Sequence, residues 1–100
     1  MFNSKRSRQI EEFAASLARD IAARCPPENT HEEDHLSMAL AKAIDEACGK
    51  AAAYQREQDL GMFGKAKFGT AFKYQLKDVG YPEALVDSMT RQLLFKMSAG

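Results

Sequence analysis

Four stretches of this chain repeat their apolar residues every three or four positions, and no stretch alternates them. A period near 3.6 puts apolar side chains on one face of a helix, whereas a half-buried strand needs a period of two. The pattern therefore predicts an all-α fold. The first stripe is Ile10, Phe13, Ala14, Leu17, Ala18 and Ile21, with Arg8, Glu12, Ser16 and Arg19 opposite. It predicts a helix over roughly 7–25. Pro26 and Pro27 end it, because proline lacks an N–H and disfavours helical geometry in the residue before it.

A second helix is predicted over 31–58. Thr30 and Glu33 have the spacing of a capping box, in which each side chain accepts from the other residue's backbone N–H. Leu36, Leu40, Ala43, Ile44, Ala47, Ala51 and Tyr54 follow as its stripe. Such a helix would be about 42 Å long, so it either breaks near Gly49 or forms a spine for the others. Gly61 and Gly64 read as a turn. Phe68, Phe72, Leu76 and Val79 then predict a third helix over 65–79, closed by Gly80 as a left-handed cap. Pro82 suits the first position of a fourth helix over 82–97, whose stripe is Leu85, Val86, Met89, Leu93 and Met97.

One hundred residues supply one domain, 1–100, and burial of about 60–70% of the unfolded chain's surface. The expectation is a compact four-helix domain with no room for a deep cleft. No apolar run approaches the ~20 residues that span a bilayer. The basic start, Lys5, Arg6 and Arg8, runs into Glu11 and Glu12 rather than an apolar core, unlike a secretory signal. Cys25 and Cys48 are too few for a disulfide scaffold and form no CxxC pair. A reducing cytoplasm is the expected location.

The sharpest chemical motif is His31-Glu32-Glu33-Asp34-His35, which matches H-E-x-x-H. Histidines four apart on a helix can share a zinc ion, with the glutamate activating a bound water. The acidic residues at both x positions, the absence of a third histidine and the lack of a sheet to hold a substrate weigh against it. Acidic residues in a first helical turn also have a plain role beside the helix dipole. The two cysteines read as small core hydrophobes rather than nucleophiles. Gly61 to Lys65 lacks the spacing and the Ser/Thr of a phosphate-binding loop. No catalytic residue, metal ligand or cofactor is assigned.

Two surfaces stand out instead. The net charge is zero, yet 1–25 carries +2, 26–60 carries −5 and 61–100 carries +3. From Gly61 to Lys77 there are four lysines and no acid. The outer face of the third helix would present Lys67, Thr70, Lys73, Tyr74 and Lys77 to an acidic partner or a nucleic acid. Separately, Leu94, Phe95, Met38 and Phe63 fall off their helices' main stripes, and a contiguous apolar patch marks an interface. The expected function is a small non-catalytic interaction module, an inhibitor or adaptor of bacterial or phage type. It would dock on a larger protein or nucleoprotein complex, or form a homodimer. A nucleic-acid-binding regulator is the alternative, and a zinc hydrolase at the HEEDH segment the remote one.

Overall fold

The computed structural model describes residues 4–27 and 38–99. Within them are four helices and no strand: α1 (Ser4–Arg24), α2 (Met38–Gln58), α3 (Gly61–Val79) and α4 (Glu83–Ala99). The predicted all-α four-helix architecture is what forms. Thr30, Glu33, Leu36 and the HEEDH segment lie outside the described residues, as does the predicted start of the second helix.

α1 packs on α2 and α3, and α4 packs on the same two helices. Arg24 meets Glu46 while Arg6 meets Gln58, so α1 and α2 are antiparallel. Glu11 meets Lys67 while Cys25 meets Tyr81, so α1 and α3 run parallel. Lys73 meets Asp87 and Leu94 meets Gly69, making α3 and α4 antiparallel. The four helices thus form a ring in the order α1, α2, α4, α3.

The predicted stripes meet at its centre. Ile10, Leu17 and Ile21 of α1, Leu40 and Ile44 of α2, Phe68, Phe72 and Leu76 of α3, and Val86, Met89, Leu93 and Met97 of α4 are all buried. Three aromatic rings tie α1, α2 and α3 together. Phe13 stacks on Tyr54 at 4.4 Å, and Phe68 meets both, edge-on to Phe13 at 6.0 Å and tilted against Tyr54 at 5.7 Å. Such pairs add about 0.5–1.5 kcal/mol to their area burial. α2 is rich in buried alanine, namely Ala43, Ala47, Ala51 and Ala52. It runs unbroken through Gly49, which faces open space.

The helix ends follow local chemistry. Gly80 caps α3 at φ +106, a left-handed conformation that suits glycine. Its N–H donates to the Lys77 carbonyl and that of Tyr81 to the Leu76 carbonyl, the paired bonds of a Schellman motif. The Tyr81 hydroxyl then donates to the Cys25 carbonyl, fastening the end of α1 to the end of α3. Arg6 donates at 2.7 Å to the Gln58 carbonyl, placing a cation at the negative end of α2. α1 runs from Ser4 to Arg24 rather than over 7–25, α4 continues to Ala99 rather than 97, and the starts of α4 and α3 differ from the prediction as well. Pro82 precedes α4 and accepts from the Val86 N–H, so it sits at the cap rather than at the first helical position. The α2–α3 turn is built at Asp59 (φ +51) and Gly61 (φ +74), so α3 starts four residues before the expected Lys65. Gly64 is already helical. A Cβ there would stand 2.7 Å from the Leu60 Cβ, so the missing side chain lets Leu60 fold back against the first turn.

Candidate interaction groove

Phe63 and Tyr74 are eleven positions apart, about three helical turns, so the two rings share one stripe about 16 Å apart. Lys67, Thr70 and Lys77 lie on the same stripe. Phe68, Phe72 and Leu76 take the opposite side into the core, which leaves this stripe facing solvent. Phe63 is 88% exposed and Tyr74 72%. Alongside runs α1, parallel to α3 and close enough for Lys67 Nζ to reach Glu11 Oε2 at 3.3 Å.

Between the two helices lies an open groove of about 670 Å³. Ala15 and Glu11 of α1 line one wall, and Phe63, Ala66, Lys67, Thr70, Ala71, Tyr74 and Gln75 of α3 the other. A second depression of about 320 Å³, lined by Arg6, Ser7, Ile10, Leu60 and Gly64, shares Phe63 and Lys67 with the first. Together they follow α3 from Leu60 to Gln75, about 22 Å. Small side chains (Ala15, Ala66, Ala71) keep the channel open, and the aromatic rings stand at its edge. Two features that the sequence presented separately, Phe63 as an off-stripe apolar residue and the lysine face of the third helix, therefore occupy one site.

The other anticipated interface residues scatter. Leu94 does not project outward. It is half-buried and packs on α3, its Cδ2 atom 2.9 Å from where a Cβ on Gly69 would stand. α4 touches both α2 and α3, so its buried arc is wider than one stripe and takes Leu94 in. Phe95 is 75% exposed and borders a smaller α2–α4 groove of about 330 Å³ with Ala41, Ile44 and Cys48. Met38 is exposed at the start of α2 and lines neither groove. Lys73 leaves the lysine face as well, turning towards α4 to pair with Asp87 at 3.3 Å.

The electrostatics are mild. Lys67 and Lys73 each have a carboxylate partner with both side chains nearly half exposed, whereas Lys77 forms no ion pair among the described residues. Exposed pairs of this kind contribute about 0–1 kcal/mol. Elsewhere, the Arg24 guanidinium hydrogen-bonds Glu46 at 2.8 Å and holds its carboxyl below the usual range. Both cysteines are buried and free. Burial pushes the Cys48 thiol up, with the nearby Asp45 charge adding to the effect, which lowers its fraction of nucleophilic thiolate. Among the described residues, no three His, Cys, Asp or Glu side chains gather in a way that could hold a metal ion, and no helix is long and apolar enough to cross a membrane. No protein-family model, curated protein or solved structure matches the chain.

Proposed function

We propose that this chain is a small non-catalytic interaction module that docks on a larger protein through the α1–α3 groove, acting as an inhibitor or adaptor. The observation that carries the reading is the pair of exposed rings, Phe63 and Tyr74, standing three turns apart on the edge of an alanine-walled channel. Aromatic side chains of this kind supply most of the anchoring at protein interfaces, since they bury a large area with few rotatable bonds. The buried, unpaired cysteines suit a reducing cytoplasm.

Site-specific photo-crosslinking tests it. A benzophenone side chain placed at Phe63 or Tyr74 in its native cells is expected to trap a discrete protein adduct, while the same group at the exposed Lys42 of α2 traps none. Equal labelling at all three positions, or none at the groove, rules the reading out. An adduct of twice the chain mass identifies a homodimer.

The lysine stripe supports a second reading, a nucleic-acid-binding regulator, in which the trapped material is nuclease-sensitive. It ranks lower because the Glu11 and Asp87 carboxylates already sit on Lys67 and Lys73. The zinc-hydrolase reading rests on His31, Glu32 and His35, and metal analysis of purified protein showing no stoichiometric zinc removes it.

A further inference from the structure

Resting on that docking reading, we infer that the occupant of the α1–α3 groove is an acidic amphipathic α-helix of a partner protein. Shape comes first. α1 and α3 run parallel, and the two adjoining depressions between them follow α3 for about 22 Å, the larger walled by Ala15, Ala66 and Ala71. A third helix can lay an apolar ridge into such a channel, with large side chains at i, i+4, i+7 and i+11 meeting Phe63 and Tyr74.

Charge comes second. Four lysines and no acid lie between Gly61 and Lys77. Lys77 is unpaired among the described residues and follows Tyr74 by one turn. Lys67 is held only by an exposed pair with Glu11, which an incoming carboxylate can share at little cost. A helix with acidic flanks therefore finds its apolar ridge on the groove and its carboxylates on Lys67 and Lys77.

The same observations disfavour the other occupants. A nucleic acid would bring a row of phosphates against an apolar wall, with few uncompensated cations to release counterions. A second copy of this chain offers no acidic helix among the described residues. The exposed face of α1 mixes Arg8 and Arg19 with Glu12, and that of α2 mixes Lys42 and Lys50 with Glu46.

The test uses the full chain, isotope-labelled, and three probes. One is a synthetic 18-residue amphipathic peptide with leucines at i, i+4, i+7 and i+11 and glutamates on its polar face. The second is its twin with lysines in place of glutamates, and the third a single-stranded oligothymidylate. The acidic peptide is expected to shift the amide resonances of Phe63, Thr70 and Tyr74 and to bind at least tenfold tighter than its twin. Phe63→Ala with Tyr74→Ala should weaken it at least tenfold, and Lys67→Glu with Lys77→Glu should reverse the preference for the acidic peptide. All four positions are exposed, and an unchanged far-ultraviolet dichroism spectrum confirms that each variant is folded. Equal binding of the two peptides, shifts away from the groove, or oligothymidylate shifting the same amides overturns the inference. If groove-specific protein crosslinks persist while the acidic peptide shows no advantage, the acidic occupant is wrong and docking stands. If the crosslinks fail too, both fall.

Discussion

Gly49 and Gly69 both lie inside helices, and the structure predicts opposite results for the same substitution at each. Glycine in a helix interior costs about 1 kcal/mol relative to alanine, chiefly through backbone entropy. At Gly49 a Cβ meets nothing within 4 Å, so Gly49→Ala should recover that amount in full. At Gly69 a Cβ would stand 2.9 Å from Leu94 Cδ2, 3.1 Å from Cδ1 and 3.3 Å from Cγ. Those atoms are the branched end of a side chain that is half-buried in the α3–α4 seam, and moving them disturbs that packing. Overpacking of this kind costs about 1–3 kcal/mol. Set against the propensity gain, Gly69→Ala should destabilise by about 1 kcal/mol.

Leu94→Ala removes the obstruction. Alone it should destabilise, by less than the 2–5 kcal/mol typical of a fully buried leucine. In that background Gly69→Ala should become stabilising by about 1 kcal/mol, a coupling of about 2 kcal/mol between the two sites. Urea titration with a constant m-value measures all four variants. In thermal melts each kcal/mol corresponds to about 4–8 °C for a domain of this size. If Gly69→Ala has the same effect in both backgrounds to within about 0.5 kcal/mol, α4 does not seat on Gly69 through Leu94, and the assignment of Leu94 to the seam is wrong.

Three further outcomes follow from buried or capping groups. Burial pushes the Tyr81 phenol up to about 12, above its unfolded value of about 10, so its neutral form stabilises the fold. That contribution is complete below pH 10 and is lost as the pH rises through 12. Alkaline denaturation should show this limb in the native chain and not in Tyr81→Phe. At neutral pH Tyr81→Phe should cost about 1–2 kcal/mol for the unsatisfied Cys25 carbonyl. Cys48 should react with iodoacetamide at pH 8 at least tenfold more slowly in the folded chain than in urea, because burial disfavours its thiolate; equal rates contradict this. Arg6→Glu should lower stability by about 1 kcal/mol at low ionic strength, by placing an anion at the carbonyl end of α2, and added salt should shrink the loss.

The helices were readable because burial in a ring of helices imposes a 3.6-residue period, and every predicted stripe with described residues turns inward. What the period conceals is the number of neighbours a helix has. Leu94 lies one residue from Leu93 and so looks off-stripe, yet α4 has two partners and half-buries Leu94 beside the fully buried Leu93. Gly64 carries a turn signal that is indistinguishable in one dimension from a close approach, and only the placement of Leu60 separates the two. Arg6 gave no sign of capping a helix that ends 52 residues later. The site was half legible. The amphipathic pattern of α3 exposed Lys67, Thr70 and Tyr74, but Phe63 joins them only because α3 starts at Gly61 rather than Lys65, and the channel exists only because α1 packs beside α3, which no local pattern encodes.

The two rings at positions 63 and 74 also separate folding from function. In a ring of four helices each helix keeps an outward face, and α1 and α2 cover theirs with mixed charge. α3 has one edge against α1 and the other against α4, and it turns Phe68, Phe72 and Leu76 into the core. Its outer stripe faces no other helix, so a side chain there gains almost nothing from folding. Substitutions at such positions usually change stability by less than about 0.5 kcal/mol. Phe63→Ala and Tyr74→Ala should therefore melt with the native chain, while abolishing crosslink-detected docking. A loss above about 1 kcal/mol in either variant would mean that the ring serves the fold, and the groove would lose the observation on which its docking role rests.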